Sequence, residues 1–232
     1  MPPILLAIVL AWLALVPATL ASCSEPAVPP GRDPGGVAVA LLSGGIDYTL
    51  PQIAGRLARD GEGELIGWDV EAKDRLPFSG EGKGTAVALA LLGSGDARLV
   101  AVRVNPADPI SLGRGIAFVA HTPARLAVLA TLSLAQDNWE PLRQSAAHFK
   151  GILIIAPAEG ASSIPPSILA LDNVLAVEPP TADGGEGAGQ RAVAAAGRTA
   201  AFLLAREPRL DAAALKRRLT ETDSDPMWRA RR

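Results

Sequence analysis

Between residue 37 and about residue 222, short and almost continuously apolar runs alternate with longer segments rich in Ala and Leu, and this alternation restricts the chain to few architectures. Residues 37–42, 98–104, 126–132, 152–156 and 174–177 read as strands. A strand that is apolar along its whole length, instead of at every second residue, has to be covered on both faces. Residues 85–92, 111–120, 140–149 and 191–206 read as helices, and 211–219 as a last helix after Pro208 breaks the chain. Strand, helix, strand repeated in this order predicts an α/β domain with a central parallel sheet and helices on both faces, a three-layer arrangement. No repeat and no second shift of composition divides residues 37–222, which are enough chain for one sizeable core.

Ahead of this domain, residues 4–16 form an apolar run without a charge, followed by Pro17 and the small residues of Leu20-Ala21-Ser22-Cys23. The run is too short for a mature bilayer span and has the length of a signal-peptide core, so residues 1–22 read as a signal peptide. Cys23 is the only cysteine, so no internal disulfide can form. The four residues ending at Cys23 resemble the lipobox of bacterial lipoproteins. That resemblance implies a mature chain beginning at a lipidated Cys23, with membrane lipid as its partner and a place in the cell envelope facing the periplasm. Ser24, not an aspartate, follows, which in such lipoproteins implies the outer membrane. Residues 23–36 are rich in Pro and Gly and read as a tether, and residues 223–232 as a frayed polar tail. With 22 basic and 24 acidic residues the net charge is -2, which gives no footprint for nucleic acid.

Two glycine-rich loops invite a nucleotide reading. Gly80 to Leu92, GEGKGTAVALALL, has a lysine and a threonine before an apolar run, but a phosphate-binding loop needs a glycine six residues before that lysine, where Pro77 stands. The stretch Ser43-Gly44-Gly45-Ile46-Asp47 follows a strand and resembles the pyrophosphate loop of ATP-cleaving amide synthetases, yet Tyr48 occupies the place of that family's serine. No nucleotide and no other cofactor is expected. His121 and His148 read as surface or capping residues, and with no second ligand at metal-like spacing no metal site is expected.

Both loops are accounted for together by another family. Residues 39–46, followed by Asp47-Tyr48-Thr49, match the strand and loop that carry the catalytic aspartate of the subtilisin-like serine proteases. Gly67-Trp68-Asp69-Val70 and Gly84-Thr85-Ala86-Val87-Ala88 match the phrases around the histidine. Thr131-Leu132-Ser133-Leu134 matches the cleft strand, residues 151–158 the strand before the oxyanion asparagine, and Gly187-Ala188-Gly189 the start of the nucleophile helix. On these phrases the chain is identified as a degenerate member of that family. The resemblance implies the subtilisin-like three-layer fold, and it places Ser43 at the aspartate position, Lys83 at the histidine position and Gly189 at the nucleophile position. The oxyanion position falls at Gly160 or Glu159.

Hydrolysis by such a site needs a hydroxyl, an imidazole and an orienting carboxylate, and none of the three stands in place. The expectation is a catalytically silent, membrane-tethered domain that binds or shields a protein or peptide partner along Leu132, Ser133 and Leu134. Two rivals remain at this stage: a hydrolase rebuilt around Ser43 as nucleophile and Lys83 as base, and a purely structural envelope lipoprotein.

Overall fold

The computed structural model describes residues 25–93, 95–134, 138–158, 164–179, 187–221 and 228–230. The five expected strands form as β1 (Ala38–Ser43), β3 (Arg98–Arg103), β4 (Leu126–Leu129), β5 (Leu153–Pro157) and β6 (Val174–Glu178). Two short ones join them, β2 (Gly67–Asp69) and β7 (Arg229–Ala230). Their order in the sheet is β2-β3-β1-β4-β5-β6-β7, parallel throughout except for β7, which runs antiparallel to β6.

The strands are apolar on both faces because both faces are covered. Val39 and Leu41 of β1 point into one core with helices α2 (Lys83–Leu92), α6 (Ala188–Arg206) and α7 (Ala212–Glu221). Ala40 and Leu42 point into a second core with α3 (Pro109–Val119) and α4 (Glu140–His148). The expected three-layer α/β class is therefore observed. Helix α6 is the central one. Its alanines and Gly197 let it lie close to the sheet, and a Cβ on Gly197 would come within 2.6 Å of Leu91 Cδ1 and 2.9 Å of Val128 Cγ2. Among the described residues no helix is long and apolar enough to cross a membrane.

Four short elements escape the periodicity argument: β2, β7, α1 (Pro51–Ala54) and α5 (Pro166–Leu169). Each spans two to four residues, too few for a hydrophobic pattern to repeat more than about once. Strand β4 stops at Leu129, not at residue 132, although the Ala130 N–H still donates to the Leu42 carbonyl at 2.9 Å.

The two flanks differ from expectation. Residues 25–36 do not hang free as a tether; they lie docked along the domain. The Tyr48 hydroxyl donates to the Pro26 carbonyl at 2.6 Å, and Arg59 donates to the Pro29 carbonyl at 2.5 Å. Asp33 accepts from the Arg59 and Gly35 amides and pairs with Arg98. Extended proline-rich backbone has no internal hydrogen bonds, so its carbonyls are available to such donors. The polar tail is not uniformly frayed either. Trp228 is fully buried, and Arg229–Ala230 close the far edge of the sheet, because a large indole gains more from burial than the segment loses on ordering.

Candidate functional site

The carboxyl end of the sheet carries a cleft of about 230 Å³ lined by Ser43, Gly44, Gly45, Lys83, Gly84 and Gln190, with Pro106, Ala130 and Thr131 on its far side. Its shape follows from where strand β1 turns. Gly45 has φ 104°, and a Cβ there would meet Ser79 Cβ at 2.7 Å and the Phe78 carbonyl oxygen at 2.8 Å, so only glycine fits. Ile46 then pairs with the 77–79 segment, its N–H donating to Pro77 and its carbonyl accepting from Ser79. This pairing swings residues 80–84 over the end of β1. Helix α2 starts there against the turn, with Gly84 so close that a Cβ would lie 2.1 Å from the Gly45 carbonyl oxygen and 2.6 Å from Ser43 Oγ. The Thr85 hydroxyl accepts the Asp47 N–H at 2.8 Å and locks loop to helix.

Two of the three residues expected to share a site do so directly. Ser43 and Lys83 line the one cleft, and Gly189, the second residue of α6, is buried beside Gln190, which lines it. Ser43, however, is buried and tied into its own turn: its hydroxyl donates to the Gly45 carbonyl at 3.3 Å and accepts the Gly45 N–H at 3.2 Å. No hydrogen bond joins the Ser43 hydroxyl to Lys83 among the described residues. Lys83 is exposed and has no ion pair among the described residues, neither with Glu81 nor with Asp47. Gly189 offers only backbone. Residues of the first turns of α2 and α6, Lys83, Gly84 and Gln190, line the cleft.

The residues expected to hold a peptide are arranged differently. Leu134 is buried in the core, Leu132 is half-buried beside α4, and Ser133 is exposed with its N–H donated to the Pro106 carbonyl at 3.0 Å. None of the three lines the cleft. Ala130 and Thr131, just before them, do. The peptide groups of Thr131 and Leu132 form no hydrogen bond within the described chain, so a short unpaired edge borders the cleft. Sequence reasoning missed Pro106 and Gln190 as lining residues, and of the phrase matched to the cleft strand it singled out residues 132–134 and passed over Thr131, the one that lines the cleft.

His148 packs edge-on against Phe149 with ring centroids 4.7 Å apart, and among the described residues no group of His, Cys, Asp and Glu could hold a metal. Cys23, Glu159 and Gly160 lie outside the described residues.

No family model matches the sequence, and no curated protein matches it. Solved structures do. A lanthipeptide protease superposes with a TM-score of 0.60 at 14% identity, over 83% of this chain and 82% of that one. An S41 psychrophilic protease gives 0.57 at 16%, over 83% and 84%. The serine protease MycP1, an essential component of the type VII (ESX-1) secretion system, gives 0.52 at 17%, over 84% and 79%.

These findings correct the identification made from sequence phrases. A degenerate subtilisin-like protease with a lipoprotein signal is more than they support: no family model recognises the chain, and identities of 14–17% carry the likeness to fold alone. The phrases misled for a physical reason. Apolar strands, glycine turns between strand and helix, and an alanine-rich central helix are demanded by the three layers themselves, whatever chemistry they carry. What the chain shares with these proteases is the three-layer subtilisin-like fold, built on its central parallel sheet.

Proposed function

We propose that this chain is a protease-fold domain that holds an extended peptide segment of a partner protein at the carboxyl end of its sheet without cutting it, and that it does so in the cell envelope, tethered through Cys23. The observation that carries the reading is a cleft bordered by the unpaired peptide groups of Thr131 and Leu132 in which, among the described residues, no nucleophile is hydrogen-bonded to a base. Strand addition takes its affinity from main-chain hydrogen bonds, so it survives where a nucleophile is absent. The turn that occupies the Ser43 hydroxyl argues against Ser43 and Lys83 as a working pair.

The test is binding of labelled, unfolded casein fragments by fluorescence anisotropy, followed by mass analysis of the fragments. Saturable binding with intact fragments is expected, weakened about tenfold by Thr131→Pro, which deletes one edge N–H. Labelling by a fluorophosphonate that disappears in Ser43→Ala, or fragments cut by rigorously purified protein, would replace this reading with a hydrolase. The location is tested separately: Cys23→Ala should move the protein out of the membrane fraction, since anchoring rests on the acyl chains.

A further inference from the structure

A wider concavity than the protease-like cleft lies elsewhere on the domain. It lies at the opposite, amino end of the sheet, a trough of about 790 Å³ between the last turns of α2 and the C-terminal half of α6, closed by Val37, Ala97 and Pro208. That volume falls within the range of about 300–1,000 Å³ typical of small-molecule sites, and its walls are apolar: Leu91, Leu92, Ala201 and Leu204. Phe202 stands in it 60% exposed, a large aromatic surface left in water near the C-terminal end of a helix whose other face is packed.

The charges around the trough are one-sided along α6. Arg198, Phe202 and Arg206 follow at four-residue spacing and so share one face. Arg198 lies across the end of α2, its guanidinium donating only to the Ala90 carbonyl at 3.2 Å. Arg206 sits over the Phe202 ring, 5.5 Å from its centroid. Neither has a carboxylate partner among the described residues, whereas Arg98, Arg103, Arg143 and Arg218 all do. The acidic group at the trough, Asp96, is on the opposite wall beside Gly36. An occupant is thus asked to be apolar along its body and anionic at the end that meets α6.

We propose that this trough binds a single-chain anionic amphiphile, a long-chain carboxylate, with its acyl chain along Leu92, Ala201 and Phe202 and its head group on Arg198, the guanidinium that lines the trough. The site is independent of the cleft at the other end of the sheet and of any peptide bound there. Apolar burial supplies the affinity, and the guanidinium selects the charged head.

The experiment titrates the intact protein with dansylaminoundecanoate and, in parallel, with its methyl ester, which differs only in lacking the charge. Saturable fluorescence enhancement is expected, at least tenfold tighter for the acid than for the ester. Ala205→Trp, an exposed groove position, should abolish binding by filling the trough while leaving thermal unfolding unchanged. Arg198→Gln should reduce the preference for the acid about tenfold, and Arg198→Lys, which keeps the charge, should retain most of it and separates loss of charge from loss of folding. Equal binding of acid and ester, undiminished binding to Ala205→Trp, absence of saturation, or a shift to dimer in place of probe binding would each overturn the proposal.

Discussion

Tyr48 shows how one residue acquires a role that its neighbours in sequence do not advertise. It stands in a loop after β1, yet it is fully buried, edge-on to Phe78 at 5.3 Å, with its hydroxyl donated to Pro26. Burial, followed by the charges of Glu25, Asp74 and Asp47, pushes its pKa from 10.0 up to about 12. The folded state therefore favours the neutral phenol. The resulting stabilisation is complete below pH 10 and is lost as pH rises from 10 to about 12. Tyr48 is the only tyrosine, so the phenolate absorbance band reports on it alone. A titration of the folded protein should show a midpoint near 12, and Tyr48→Phe should remove the fall in stability across that window. A midpoint near 10 would mean that the ring is not held as described. Ser43 teaches the same lesson in reverse. Glycines marked its position from sequence, but only its two contacts to Gly45 reveal that its hydroxyl is already engaged.

Among the elements, the docked segment 25–36 departs furthest from its composition. Proline and glycine without periodicity read as a spacer, but a spacer becomes a strap when the domain offers donors along its path. Arg103 meets Glu25 at 3.2 Å while also holding the fully buried carboxylate of Asp69 at 3.0 Å, so the strap begins on a charge network anchored in β2 and β3. It ends on Asp33. Burial alone would raise the Asp33 pKa, but the Arg59 N–H, the Arg98 guanidinium and the Gly35 N–H outweigh it and hold the carboxyl below its usual 3.8. With a lowered folded-state pKa, the contribution is complete above 3.8 and is lost as pH falls through the still lower folded value. Asp33→Asn should cost about 1–2 kcal/mol in urea unfolding at pH 7, the scale of losing hydrogen bonds to a charged acceptor. The difference from wild type should shrink once the pH drops below 3.8. An unchanged midpoint at pH 7 would return the segment to the status of a spacer. Strand β4 makes a related point, since its end is set by the neighbour: beyond Ala130 no partner strand remains on the β1 side, and residues 131–134 leave the sheet despite their apolar character.

For the whole molecule, the sheet is completed by residues far from the rest of the domain in sequence. Trp228 is buried without a partner for its indole N–H, and β7 pairs Ala230 with Val177 and Arg229 with Glu178. Without this segment β6 would be an open edge, available for pairing with another chain. Trp228→Ala should cost about 3–5 kcal/mol by leaving a cavity, which for a domain of this size lowers Tm by roughly 10 °C. Scanning calorimetry checks it, and a shift below about 2 °C would show that the tail adds little. The sequence by itself determined the class: runs apolar on both faces can only be buried between two helical layers, and glycines after strands located the turns at the carboxyl end of the sheet. That Ser43, Lys83 and Gly189 belong to one region came only from the family resemblance, since period and turn chemistry are local and do not bring distant loops together. Only the tertiary structure decided that the Ser43 hydroxyl is engaged, that Thr131 and not Leu134 borders the cleft, that the strap and tail are docked, and that a wider trough opens at the opposite end. Each of these depends on pairings between distant segments, such as Arg98 with Asp33 across 65 positions, and no pattern of period two or 3.6 records a partner that far away.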